Sequence, residues 1–285
     1  NTEEGTLGWY YSSNNGTSSN TDINEPLVAT TQFPYSRTLY RNDGSGAVKG
    51  VTKPGDKFRP GNGFTATATD EPVASDDAFF GSGDKSYLTI RERELGLPRP
   101  ASIAGQFFKK AVLDETGKKS VMYSDKSGNA IIDVYYANGS TPVTTSFHFY
   151  DNAGRKVLEI SPNGFNQYTF NTTTSQSNFA DIDKTRYEYN SKGLLSAVEE
   201  KAAGQQTDGI SRTEFLYRRD GKIRFSQNEQ QRNASPKRYS YTNYDRSGRP
   251  VESGEFETGT GGIAFASAEQ QAILGSVGDD GGLSE

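Results

Sequence analysis

The stretch YDRSG at residues 244–248 is one copy of a short pattern that recurs through the middle of this chain. An aromatic residue is followed by polar residues, and glycine stands four positions after the aromatic. Asp or Asn early in a turn accepts hydrogen bonds from the backbone ahead of it, and glycine adopts a positive φ without a Cβ clash. The pattern therefore predicts a tight turn at each copy. The clear copies are Tyr150-Asp151-Asn152-Ala153-Gly154, Tyr189-Asn190-Ser191-Lys192-Gly193, Tyr217-Arg218-Arg219-Asp220-Gly221 and Tyr244-Asp245-Arg246-Ser247-Gly248.

Two weaker copies end at Gly117 and Gly128, and successive glycines from there on lie 11, 26, 39, 28 and 27 residues apart. Spacing in this range is typical of a repeat architecture. The flanks alternate as strands do, so that Tyr187 and Tyr189 share a face. Each unit is thus predicted to be a β-hairpin with a short glycine-containing loop. The predicted fold is all-β, with antiparallel hairpin repeats forming a curved ribbon or part of a β-shell.

The composition favours thin sheets over a thick core. Only 32% of the 285 residues are hydrophobic, but 12% are aromatic, which is too many for a disordered chain. We expect half-solvated sheets whose buried face is made largely of rings.

Several classes of function and partner are excluded or disfavoured. The chain has no Cys, which excludes disulfides and thiol chemistry but does not fix the compartment. The net charge is -5 with no basic block, which argues against a nucleic-acid partner. No apolar run approaches the ~20 residues of a membrane helix, so no membrane insertion is expected. The chain begins at Asn1, and we expect it to be a trimmed product or a piece of a longer protein.

Three segments are predicted along the chain. Residues 1–100 form a β-rich segment before the repeats, residues 101–256 the hairpin block, and residues 257–285 a glycine-rich linker with one short helix at 267–274.

Within these segments, two stretches outside the repeats are predicted to be strands. They are Trp9-Tyr10-Tyr11 and the period-two run Tyr87–Glu94. Polar surface loops are predicted at 171–178, 205–209 and 229–235.

No catalytic, cofactor-binding or metal-binding residue is assigned. His148 is the only histidine, and a place in a strand beside the Tyr150 turn suits it better than a role as general base or metal ligand. The pair Glu199-Glu200 is interpreted as a solvated strand end and not as glycosidase carboxylates. Aspartates in turns can bind Ca²⁺, but ordinary turn chemistry explains them better; they are Asp114, Asp125, Asp151, Asp220 and Asp245.

The tyrosines allow two interpretations. Exposed aromatic rows stack on sugars, whereas buried rows line a shell. We favour the lining.

The repeats resemble a known family. Tyr150-Asp151-x-x-Gly154-Arg155 and Tyr244-Asp245-x-x-Gly248-Arg249 resemble the YD repeats of RHS-repeat proteins, which include bacterial polymorphic-toxin shells, insecticidal toxin-complex shells and the teneurins. The similarity is best over about 110–256. In addition, residues 31–60 resemble the segment before YD repeats in large surface proteins exported by a type IX pathway.

The resemblance implies a structural, non-enzymatic role at the cell surface or outside the cell. The chain would be an early piece of a β-shell that encloses an effector or presents a surface. Its partners would be further YD-repeat segments or subunits, an enclosed effector, or secretion machinery. Two copies depart from the family because Asn190 and Arg218 replace its aspartate, and the family's self-cleavage site is not visible. A carbohydrate-binding adhesin, with glycans as partners, and a glycan-active enzyme stay open as alternatives.

Overall fold

The computed structural model describes residues 6–13, 30–59, 61–62, 65–137, 140–201, 210–258 and 264–267. These residues form an all-β, antiparallel fold with short helices, as predicted. No described helix has the length and apolar character to cross a membrane. The strands are β1 Arg37–Tyr40, β2 Val48–Thr52, β3 Ala66–Pro72, β4 Phe107–Leu113, β5 Lys119–Asp125, β6 Ala130–Tyr136, β7 Thr144–Tyr150, β8 Lys156–Ile160, β9 Phe170–Asn171, β10 Gln176–Ser177, β11 Lys184–Tyr189, β12 Leu195–Lys201, β13 Ile210–Tyr217, β14 Ile223–Gln227, β15 Arg238–Tyr244 and β16 Pro250–Glu257. The helices are α1 Leu7–Tyr10, α2 Tyr87–Leu95, α3 Pro162–Gln167 and α4 Glu229–Asn233.

The chain divides into two compact units. Unit 1 is made of residues 1–81 and 98–145, and unit 2 of residues 82–97 and 146–285. In unit 1 the strands lie side by side in chain order from β1 to β6. In unit 2 the order runs from β7 through β8, β11, β12, β13, β14 and β15 to β16, with β9 and β10 as a separate small hairpin. The segment boundaries at residues 100 and 256 stay predictions.

Helix α2 corrects the prediction of a strand at Tyr87–Glu94. The Ser86 side chain caps its first turn by accepting a hydrogen bond from the Thr89 N–H (3.3 Å). Gly96 ends it in the left-handed conformation (φ 64°). Period-two alternation is the pattern of a strand. The buried residues Tyr87, Leu88 and Ile90 nevertheless lie on one side of a helix, and the two caps favour the helix.

Helix α2 supplies a lid for the aromatic core of unit 2. Tyr87 stacks on Phe149 with ring centroids 4.8 Å apart and meets Phe147 edge-on at 5.7 Å. Phe165 of α3 packs on Phe147 at 5.1 Å. Phe147, Phe149 and Ile90 are fully buried. The sheet therefore gains a second layer here from two short helices.

The core of unit 1 is also built from rings. Phe80 packs against Phe107 at 4.7 Å and against Tyr123 at 5.6 Å. The Asp77 carboxylate accepts a hydrogen bond from the Tyr123 hydroxyl (3.1 Å) and pairs with Lys109 (3.3 Å). The ring cluster thus ends at a satisfied polar group, as a buried carboxylate requires.

Three further predictions were wrong. Residues 9–10 belong to helix α1 and not to a strand. The predicted loop at 171–178 contains most of the β9–β10 hairpin, and that at 229–235 contains α4. The helix predicted at 267–274 lies outside the described residues except for its first position, and the loop at 205–209 lies outside them entirely.

Phe147→Ala is expected to destabilise unit 2 by about 3–5 kcal/mol, because it removes a fully buried ring that touches two helices. The measurement is chemical denaturation followed by circular dichroism. The control is Ile223→Ala, which truncates a partly exposed side chain of the same unit. Equal losses in the two variants would contradict the assignment of the core.

Candidate functional site: the stacked hairpin turns

The repeat turns share one backbone geometry. In the turn at 151–155 the Gly154 N–H donates to the Asp151 carbonyl (3.0 Å), and the Asp151 N–H donates to the Arg155 carbonyl (2.9 Å). This is a type I turn followed by a left-handed glycine, the three-residue loop that places a bulge in the hairpin. The same two bonds close all six predicted turns, whose glycines are Gly117, Gly128, Gly154, Gly193, Gly221 and Gly248, with φ between 73° and 85°.

In every repeat turn except the one that begins at Arg218, the side chain of the first residue accepts hydrogen bonds from backbone N–H groups. One Asp151 carboxylate oxygen accepts from the N–H groups of Ala153 (2.9 Å) and Arg155 (3.0 Å). The other holds the Arg155 guanidinium at 2.6 and 2.8 Å. Asp245 binds Arg249 in the same way. An amide also serves, since Asn190 accepts from two backbone N–H groups.

These contacts set the protonation of the turn aspartates. Partial burial acts to raise the pKa of Asp151, but its hydrogen bonds from Arg155 and the backbone outweigh this and hold the pKa below the ordinary value. For Asp245, the Arg249 N–H and guanidinium lower the pKa. Both turns therefore favour the charged carboxylate.

Arg218 takes the aspartate position in the third clear copy, and the turn still closes. Its guanidinium is buried, lies 3.3 Å from the Asp220 carboxylate, and faces the Tyr244 ring at 5.2 Å. Asp220 accepts weakly from the Lys222 N–H (3.4 Å). The acceptor has moved two positions along the turn.

The repeat tyrosines connect each hairpin to the one before it. The Tyr189 hydroxyl donates to the Lys156 carbonyl (2.8 Å), and Lys156 is the second residue after the preceding turn glycine. The same bond recurs along unit 2. It joins Tyr217 to Leu195 (2.7 Å) and Tyr244 to Ile223 (2.8 Å), and both acceptors again lie two residues after a turn glycine.

The residue directly after each glycine covers the next turn. Arg155 lies over the Tyr189 ring at 4.6 Å, and a Cβ on Gly193 would come within 3.3 Å of its guanidinium. Leu194 and Lys222 lie over the following glycines in the same manner, at 3.8 Å from a Cβ on Gly221 and 2.6 Å from one on Gly248. We call the four turns at 151–155, 190–194, 218–222 and 245–249 the turn row.

Strand register is the same at all three junctions of the turn row. The pairing of β8 with β11 matches Leu158 to Arg186, and extending it three residues places Tyr189 opposite Arg155. Extending the other two junctions places each tyrosine opposite the residue after the preceding glycine, which is Leu194 for Tyr217 and Lys222 for Tyr244. One fixed register therefore produces both contacts.

The structure places the predicted turn residues in closed hairpin turns. The positions that join one turn to the next were not among the residues predicted from the sequence. The signal was present, because an Arg, Leu or Lys follows each clear glycine. A second missed feature is an ion-pair cluster between β11 and β13. Arg212 binds Glu188 at 2.8 Å and approaches Glu199 and Glu214 at 3.4 Å.

The other residues considered as catalytic or metal-binding candidates form no such site. His148 is a buried residue of β7, 3.6 Å from Glu159, and its carbonyl accepts from the Tyr87 hydroxyl. The turn aspartates stand one to a turn. Within the described residues no three acidic or histidine side chains are grouped so as to hold a metal ion. Glu199 belongs to the Arg212 cluster, and Glu200 is exposed.

Comparisons with known proteins give weak structural similarities. No protein-family model matches the sequence. No curated protein matches it either. Among solved structures, a Photorhabdus luminescens Tc holotoxin pore with a mutated TccC3 shows 14% identity and a TM-score of 0.31, covering 78% of this chain and 12% of that chain. The crystal structure of TcdB2-TccC3-Cdc42 shows 12% sequence identity and a TM-score of 0.31, and the match covers 78% of this chain and 13% of that chain. Scores this low do not establish a shared fold.

Asp151→Asn is expected to lower the free energy of unfolding by about 1 kcal/mol at pH 7, since the turn acceptor stays but the ion pair is lost. Because the native pKa is depressed, the difference from wild type should be full above about pH 4 and should vanish as pH falls through the native pKa.

Denaturation titrations across this pH range measure that difference. The control is Asp70→Asn, which changes an exposed aspartate outside the turns. A difference that persists unchanged into strong acid would contradict the proposed role of the charge.

Tyr217→Phe is expected to lower the free energy of unfolding by about 0.5–1.5 kcal/mol, since it removes the hydroxyl that binds the Leu195 carbonyl. Hydrogen exchange should show faster opening of β12 and β13. Tyr187→Phe is the matched control, because the hydroxyl of Tyr187 has no hydrogen bond within the described part of the chain. If both variants are equally stable, the hydroxyl bonds do not join the hairpins.

Proposed function

We propose that this chain is a structural, non-enzymatic segment of a secreted or cell-surface RHS/YD-repeat protein, and that it forms part of a β-shell. The turn row is the observation that supports this proposal. Three successive junctions use one register, one hydroxyl bond and one covering side chain.

A junction that is repeated in this way is suited to building the wall of a β-shell. Each hairpin contacts the hairpins beside it, so stability arises from units and from the interfaces between neighbours. Further units extend the sheet without new kinds of contact. The wall would enclose an effector or present a rigid surface.

The burial of the repeat tyrosines favours the wall over the carbohydrate-binding alternative. Tyr189, Tyr217 and Tyr244 are half-buried, and their hydroxyls are used in bonds to the backbone. A sugar-binding platform needs exposed ring faces. Tyr35 and Tyr40 offer more exposed rings, but both lie outside the turn row.

The native protein that contains this chain is expected to show, by cryo-electron microscopy, a wall in which further hairpins, from the same chain or from another subunit, pair with β16. In a glycan array, the chain should show no saturable binding. Saturable binding that is lost in Tyr35→Ala or Tyr40→Ala and kept in Tyr217→Phe would overturn the proposal and favour the adhesin.

A further inference from the structure

At the last turn of the turn row, the residue after the glycine makes no contact with a following hairpin within the described residues. Arg249 follows Gly248 and is held by Asp245, as Arg155 is held by Asp151. The Arg155 side chain lies over a tyrosine ring and is 36% exposed, whereas the Arg249 side chain is 77% exposed. Within the described residues no ring covers Arg249.

The outer strand of unit 1 ends in a tyrosine that is followed by a turn glycine, which are the groups that the residue after the glycine covers at the other junctions. Tyr40 ends β1 and is 62% exposed, and Gly44 follows it by four residues with φ 75°. A Cβ on Gly44 would have no neighbour within 4 Å, unlike one on Gly193, Gly221 or Gly248. This turn is closed by Arg41 and Ala47 (2.8 Å) and is two residues longer than the others.

We infer that a second copy of this chain binds head-to-tail, with the Tyr40 turn of one copy seated on the 245–249 turn of the next. The Tyr40 hydroxyl would donate to the carbonyl of Pro250, the second residue after Gly248. Arg249 would cover both the Tyr40 ring and Gly44. The inference rests on the structural role proposed above and names its partner.

The conserved register of the turn row fixes the strand pairing. If Tyr40 lies opposite Arg249, then Arg37 lies three residues along, opposite Glu252. Both side chains are exposed. Glu252 already accepts from Tyr241 and Asn243, and a carboxylate has acceptor sites left for a guanidinium. Opposite charges facing each other across strands stabilise the pair.

Charge favours a second copy as the occupant. In this register Arg37 of β1 faces Glu252 of β16, whereas Glu255 and Glu257 already pair with Arg238 of β15. Charges on an exposed edge oppose pairing with arbitrary strands, so complementary charges select the partner. A head-to-tail contact uses two different surfaces and continues into a ring or filament.

Sedimentation velocity of the full chain over a wide concentration range tests the inference. Wild type is expected to associate, and Arg37→Glu or Glu252→Arg alone should weaken association at least about tenfold, since each places like charges opposite each other. The double variant with both changes should recover the wild-type association. Lys126→Glu, an exposed change in another turn, is the control for net charge.

Hydrogen exchange of 250–257 gives a second readout, with protection expected to rise with association. A chain that stays monomeric at every concentration overturns the inference, as does association that neither single variant weakens. Either result leaves the proposed wall intact if the native protein shows continuing hairpins, so the two proposals fail separately.

Discussion

The positive φ of the turn glycine is the constraint on which unit 2 depends. A left-handed residue at the fourth turn position produces the bulge that shifts register between each tyrosine and its partner strand. Because the shift falls between the tyrosine and the strand that follows it, it sets which residues after the glycine face the next hairpin. The hydroxyl of the next tyrosine then bonds the carbonyl two residues after that glycine. The left-handed glycine of one hairpin thus helps to position the contact that the next hairpin makes.

Because the turns fix the strand register, the side chains in the middle of the strands can differ from one hairpin to the next. Near β7 and β8 the sheet is covered by rings and two short helices, whereas between β11 and β13 the same face carries the Arg212 ion pairs. Near β14 and β15 it becomes aromatic again, with Phe225 packed on Tyr239. The 39-residue interval holds α3 and the β9–β10 hairpin away from the turns. A sequence with few hydrophobic residues suffices because turns and a few ring clusters share the task of specifying the fold.

The sequence predicted what is local and missed what depends on distant partners. Turn residues act on the backbone within five positions, so their pattern was sufficient to predict hairpins and the antiparallel class. Helix α2 shows the opposite case. Its Ser86 and Gly96 caps were readable, but the apolar alternation was ambiguous, and its place over Phe149 joins residues some 60 positions apart. Helix α4 had a local signal as well, the capping box between Asn228 and Gln231, which compositional reading treated as a polar loop.

Arg218 shows why the repeat is better defined by the contact that each position makes than by the identity of its residue. At the sequence level, it counts as a departure from the aspartate pattern. In the structure, Asp220 takes over part of the acceptor role, while the guanidinium is buried between that carboxylate and the Tyr244 ring. Four roles remain at every junction: an acceptor in the turn, a left-handed glycine, a side chain that covers the next glycine, and a tyrosine hydroxyl. A copy that lacks the expected residue still fits the turn row when a nearby residue makes the same contact. The most informative place to look for such copies is therefore the residue after the glycine, where the sequence varies but the contact does not.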